Sequence, residues 1–211
     1  MTAARVMRIT ILSIVVLFAG RSDTYTYQRP PVCDNYELRR AIRSISDACT
    51  DITCDFSKLR ELDDIDKGKL LAALRNPYLR PVHLFFPNGQ TQLSEAFDWR
   101  TTKKDQLDSI KFIDDPDNTI VFVIGRASAT GNRDLNIRLS RERMLSVMDY
   151  VRNRLQVRCH KFKGGWLGKE YLQLSRSDAA LLNVEPRDYR DDELVLNQAV
   201  HVFVFPCRDV L

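Results

Sequence analysis

The chain has 211 residues, 44% apolar and 28% charged, which supports one domain with a real core and excludes low-complexity or solenoid architectures. Its formal charge is +4, and without the first 20 residues 30 Lys and Arg stand against 28 Asp and Glu. No polybasic patch with interleaved aromatics accompanies that small excess, which argues against nucleic acid as a partner.

The N-terminus carries Arg5 and Arg8 ahead of an apolar run at 9–19. A basic start and a run of that length describe a secretory signal peptide over 1–20, and the run is short for a membrane span. It ends Leu17-Phe18-Ala19-Gly20, and Arg21 stands where a bacterial lipoprotein signal would have its lipidated Cys. Two readings stay open: an ordinary signal, cleaved or kept as a weak anchor, and a lipoprotein signal whose Cys has been replaced. A polar, Pro-ending linker is expected over 21–33.

Asp34 or Asn35 can cap a helix with apolar positions at Leu38, Ile42, Ile45 and Cys49, and Ile65, Leu70, Leu71 and Leu74 mark a second. Together they predict a helical N-terminal segment over 34–78, with a turn at 50–53. From residue 80 the pattern changes. A strand is expected at 81–86, a mostly helical stretch at 94–113, and a fully apolar strand at 119–124, as for one covered on both faces. Met144, Val147, Met148, Val151 and Leu155 predict a helix whose stripe is core, not a cofactor box. Strands are then expected at 157–163 and 199–205, a turn at Gly164-Gly165-Trp166-Leu167-Gly168, and a short helix at 177–182 inside a polar insertion, 171–193. The alternation gives an α/β (α+β) sandwich with helices packed on a mixed four-stranded sheet.

Five cysteines remain to be placed. Export permits disulfides. Cys49 and Cys54 flank a turn and Cys33 precedes the first helix, so one N-terminal bridge is expected. Cys159 starts one expected strand and Cys207 ends another, which antiparallel pairing would bring together. One thiol is left over, and spacing does not give connectivity. Neither a C-x2-C nor an H-x3-H spacing occurs, so no metal or other cofactor is expected.

The stretch IGRASATGNRDLNIRLSRERM at 124–144 is the most informative. Gly131 is followed by Asn132, so it is not a phosphate-binding P-loop. Gly125 and Gly131 do not make a dinucleotide fingerprint, and the glycines lie too far from Ser128 for a nucleophile elbow. With no nucleophile–base set, an enzyme is not expected.

Gly125-Arg126-Ala127-Ser128-Ala129-Thr130-Gly131, four residues, then Asn136-Ile137-Arg138-Leu139-Ser140-Arg141-Glu142-Arg143 follows a known spacing. It resembles the OmpA-like peptidoglycan-binding domain of the OmpA C-terminal region, Pal and MotB, whose pattern is G-[HY]-T-D-x-x-G, four residues, N-x-x-L-S-x-x-R-A. Leu84–Gly89, Gly165 to Gly168 and Asn197-Gln198-Ala199-Val200 stand roughly where that family has its opening loop, G-x-G and N-R-R-V. The resemblance covers about 80–206, giving an OmpA-like domain over 80–211.

The resemblance implies a non-enzymatic envelope protein of the periplasm, associated with the outer membrane. In the family, a loop Asp takes the ammonium of stem-peptide diaminopimelate, and a helix Arg forks onto its carboxylate. Arg143, Asn136 and Ser140 carry over. The Asp does not, because Ser128 occupies its place, and Gln198 and Ala199 replace the final-strand arginines. Losing one charge-assisted contact costs about 1.5–3 kcal/mol. The leader, the helical N-terminal part and the altered loop are also similar to those of small lipoproteins of type IVB secretion systems. That implies a role in anchoring or positioning an envelope complex and its proteins. The alternative is a pure protein–protein module, with 34–78 and 171–193 as its contact surfaces.

Overall fold

The computed structural model describes residues 31–49, 51–56, 67–159, 161–169, 173–189 and 193–207. The expected leader, most of the linker, Ile65 and His160 lie outside them. Asn35 caps the first helix, α1 (Tyr36–Ala48), its Oδ1 accepting from the Leu38 N–H at 2.9 Å. At the other end of α1, the Lys163 ammonium donates to the carbonyls of Cys49 and Asp51. Bends at 51 and 52, inside the expected turn, lead into a short strand that was not expected, β1 (Thr53–Asp55), and then comes α2 (Lys67–Leu74).

Next come β2 (Val82–Phe85), a broken helical stretch that includes α3 (Lys104–Asp108), and β3 (Ile120–Gly125). The stretch expected as mostly helical is a series of short pieces: 3-10 turns at Leu93–Glu95 and Ser109–Lys111 and a π turn at Trp99–Lys103. Leu107 and Ile110 still reach the core, fully buried. The long helix α4 (Arg133–Asp149) is capped by Asn132, whose Oδ1 accepts from the N–H groups of Asp134 and Leu135 at 2.7 and 3.4 Å.

β4 (Lys161–Trp166) starts later than expected and includes Gly164 and Gly165. A Gly-Gly pair reads as a turn, but here it is strand because another side chain comes too close for a Cβ. A Cβ on Gly165 would stand 2.2 Å from the Phe56 ring. The described residues of the insertion form two short helices, α5 (Arg176–Leu181) and α6 (Pro186–Tyr189), and a third, α7 (Glu193–Asn197), follows it before β5 (Ala199–Phe205).

The four expected strands and β1 make one mixed five-stranded sheet, ordered β1-β4-β3-β5-β2. β1, β4 and β3 run parallel, and β5 is antiparallel to both β3 and β2. Alternation along each strand sends residues to two cores. Val121, Val123, Val200, Val202 and Val204 pack with Met144, Val147 and Met148 of α4. Ile120, Phe122, Phe203 and Phe205 face the other way, against Leu38, Ala41 and Ile42 of α1. Leu174, Ala179 and Leu182 of the insertion, with Leu196 of α7, close the rest of that face over Phe85 and Ala199. The sheet is therefore covered on both sides, and Leu38, Ala41 and Ile42 of the helical N-terminal segment and Leu174, Ala179 and Leu182 of the insertion are buried against it.

Two disulfides join Cys33 to Cys207 and Cys49 to Cys54, and Cys159 is a free thiol. The expected meeting of Cys159 with Cys207 does not occur. β4 and β5 both pair with β3, on opposite sides: Ile120 is opposite Lys161 on one and Phe205 on the other. A whole strand separates the two cysteines, and Cys33 reaches Cys207 from the helical layer instead.

Candidate functional site

Phe85 is opposite Ala199, and Gly125 is opposite both Val200 and Trp166, so three loops and the entry to β5 meet at one end of the sheet. Backbone bonds tie them together. Phe86 N–H donates to Gln198 O at 2.8 Å, Arg126 N–H to Ala199 O at 2.8 Å, and Ala127 N–H to Gly168 O at 3.0 Å. The position of α4 over this end depends on Gly125, where a Cβ would stand 2.0 Å from the Ser140 carbonyl oxygen. Any side chain there would lift the helix, and Arg143 with it.

Arg143 points from α4 into this junction and is only 1% exposed. Its Nε donates to Gln90 O at 2.8 Å, and its two terminal nitrogens donate to Arg126 O and Pro87 O at 3.3 Å each. Its guanidinium also lies 5.5 Å from the centre of the Phe86 ring. Three of five N–H groups are thus used on backbone carbonyls, and among the described residues no carboxylate pairs with it. Burial lowers its pKa to about 10, which leaves it charged at neutral pH.

The other expected residues surround the same loop. Ser128 is buried, with its Oγ 3.3 Å from Thr130 Oγ1. Asn136 Nδ2 donates to Thr130 O at 2.7 Å and so pins the end of the loop to the first turn of α4. Ser140 Oγ donates to Ile137 O at 2.9 Å and accepts from Gly168 N–H at 3.2 Å, tying α4 to the loop after β4. Asn136 and Ser140 are therefore positioning residues. Arg143 meets the loop at its entrance, the Arg126 carbonyl, and forms no hydrogen bond to Ser128.

Two further residues shape this end. The Arg126 side chain is buried, and its guanidinium donates to Asn197 Oδ1 at 2.8 Å. Burial pulls it down to about 9, with Asp178 acting in the opposite direction. Asn197 also accepts from Leu174 N–H at 2.7 Å and donates to the carbonyls of Leu174 and Glu193. Gln173 Nε2 donates to Ala127 O at 3.1 Å, so the insertion is fastened onto the loop. The signal for Arg126 was a charged residue at the position where the family pattern has His or Tyr. For Asn197 it was the first letter of the β5 entry motif.

Below the site, His83 and His201 face each other across β2 and β5, with their Nδ1 atoms 2.7 Å apart. Burial, then the Lys103 charge, brings His83 down to about 4; burial and His83 hold His201 well below its usual range. Among the described residues no group of three or more His, Cys, Asp or Glu is placed to hold a metal ion.

No protein-family model and no curated protein matches the chain. Among solved structures it is similar to the OmpA-like domain of FopA1 from Francisella tularensis subsp. tularensis SCHU S4. That match has 22% identity and a TM-score of 0.39, over 60% of this chain and 73% of that one.

Proposed function

We propose that the chain is a non-enzymatic cell-envelope protein of the OmpA-like type, whose loop end keeps the carboxylate-binding half of a peptidoglycan stem-peptide site. The observation that carries this reading is the placement of Arg143. Its charged guanidinium sits at the entrance of the Gly125–Gly131 loop, on the Arg126 carbonyl, with two N–H groups beyond those used on the protein. Those two can fork onto a carboxylate once the 87–90 loop yields. Ser128 offers an ammonium one oxygen and no charge, so the affinity is that of half a site. The role that fits weak wall contact is positioning a larger envelope assembly, of which a type IVB secretion system is one example. Residues 1–20 would direct export. Among the described residues no helix is long and apolar enough to cross a membrane.

A second reading, a module that binds only proteins, is favoured by the 1% exposure of Arg143. Sedimentation with diaminopimelate-type peptidoglycan separates the two. The half-site predicts weak retention of the wild type, reduced by Arg143→Lys and raised about tenfold or more by Ser128→Asp. No retention of the wild type, with binding created by Ser128→Asp, would establish the protein-only module.

A further inference from the structure

Two π turns occur among the described residues, Trp99–Lys103 and Tyr150–Arg154, the second continuing directly from α4. Such turns are rare and gather at functional sites. Each begins on an aromatic residue, and the Trp99 and Tyr150 rings meet edge to face with centroids 5.2 Å apart. Both rings line one groove of about 590 Å³, within the range of small-ligand sites. α4 lines it with Glu142, Leu145 and Asp149, and residues 91–94 line it from the loop that follows β2. The lining is held in place from behind. Tyr150 OH donates to Asp108 Oδ1 at 2.7 Å, and Lys104 Nζ donates to Asp108 Oδ2 at 2.6 Å. Leu93 N–H donates to Ser146 Oγ at 2.7 Å, and Gln92 N–H to the Glu95 carboxylate at 3.0 Å. These bonds fix the rings and the 91–94 turn before any ligand arrives, which is what a binding site requires.

We propose that this groove binds a neutral saccharide chain. The two rings offer apolar area on which the C–H side of a pyranose packs. Charges in the lining balance, Lys104 and Arg154 against Glu142 and Asp149, so the groove selects neither a polyanion nor a polycation. The carboxylates accept, the cations donate, and the Gln92 amide and Ser94 hydroxyl do both. That set matches sugar hydroxyls, which donate and accept at every position. An apolar ligand would instead cover these groups and leave them without partners. Thr91 and Gln92 directly follow Gln90, whose carbonyl Arg143 holds, so the groove adjoins the loop end. The proposal rests on the groove's own chemistry and stands whether or not that end binds the stem peptide.

The test is titration of chitotetraose and of cellotetraose into the 15N-labelled full chain, at low and at high salt. Neither sugar carries a peptide, so the outcome is separate from that of the stem-peptide reading. At least one of them is expected to give saturable shifts, unchanged by salt and centred on the amides of Gln92, Leu145 and Tyr150 and on the Trp99 indole N–H. A hydrogen bond to a charged group contributes about tenfold or more in affinity. Glu142→Ala/Asp149→Ala, at two exposed positions, is therefore expected to weaken binding at least tenfold with the unfolding midpoint nearly unchanged. Trp99→Leu is expected to weaken it about fivefold. Phe112→Ala, which removes an exposed ring outside the groove, is expected to leave it as it is. No shift with either sugar, shifts abolished by salt, or equal losses in Phe112→Ala and the groove variants would overturn the proposal; the first result would favour a polypeptide as the occupant.

Discussion

Replacing Arg143 by Met keeps much of the side-chain volume and removes the charge. Three backbone carbonyls, on Pro87, Gln90 and Arg126, then lose their donor. Hydrogen bonds from a charged group contribute about 1.5–3 kcal/mol each, so their combined loss is on the order of 6 kcal/mol. The opposing gain is the desolvation of the guanidinium. Its lowering to about 10 amounts to a burial penalty of about 3 kcal/mol, which Met no longer carries. The net destabilisation is about 3 kcal/mol, and in a domain of this size that lowers Tm by about 6–12 °C. Calorimetry of wild type and variant measures it, and amide exchange localises it: Gln90 and Ala127, whose N–H groups donate to Pro87 O and Gly168 O, should lose protection before the sheet does. A variant as stable as the wild type, with those amides unchanged, would refute the claim that Arg143 clamps the two loops.

Acid should weaken the fold through the histidine pair. His83 titrates near 6.5 when unfolded and near 4 when folded. Between those values the unfolded chain holds more protons, so the contribution of His83, about 3 kcal/mol, is fully present above 6.5 and is lost as pH falls towards 4. The pair faces Lys103, itself bridged to Asp188 at 3.2 Å, and Arg126 with Asp178 near it, and among the described residues no carboxylate bonds to either imidazole to take up the new charge. Denaturant midpoints from pH 7.5 to 4 should fall in the wild type and flatten in His83→Phe/His201→Phe. The Cys33–Cys207 bridge closes 174 residues, and the chain-entropy estimate for such a loop is about 5 kcal/mol. Cys33→Ser/Cys207→Ser should therefore lower stability by several kcal/mol in urea titrations, and an unchanged midpoint would contradict that staple role. Native alkylation of Cys159 should be slow, because burial raises its thiol pKa, and should become fast in urea.

Much of this arrangement is legible in the sequence, where local pattern and final environment agree. β3 and β5 announce themselves as continuous apolar runs because both faces are covered, and α4 because its buried stripe keeps helical spacing. β1 does not, because Thr-Cys-Asp has no strand character of its own and becomes strand only by pairing with the backbone of β4. Gly164 and Gly165 mislead in the opposite sense, since the lack of a side chain is what lets Phe56 pack there. The position of Arg143 follows from spacing, but its engagement does not. Two of its three acceptors sit 53 and 56 residues away, on a loop whose carbonyls are invisible to any side-chain pattern. The Cys33–Cys207 pairing is hidden for a similar reason, because it depends on β3 standing between β4 and β5.

The central claim is that a cationic half-site survives at the loop end. Titration of a diaminopimelate-containing stem tripeptide into the 15N-labelled chain tests it most directly, by following the Arg143 Nε–H signal together with the backbone amides of Gln90 and Ser128. The account predicts weak, saturable shifts centred on Arg143 and Gln90, tightened about tenfold or more by Ser128→Asp. Signals that stay still at saturating peptide in both proteins, or that move only elsewhere on the surface, would contradict it.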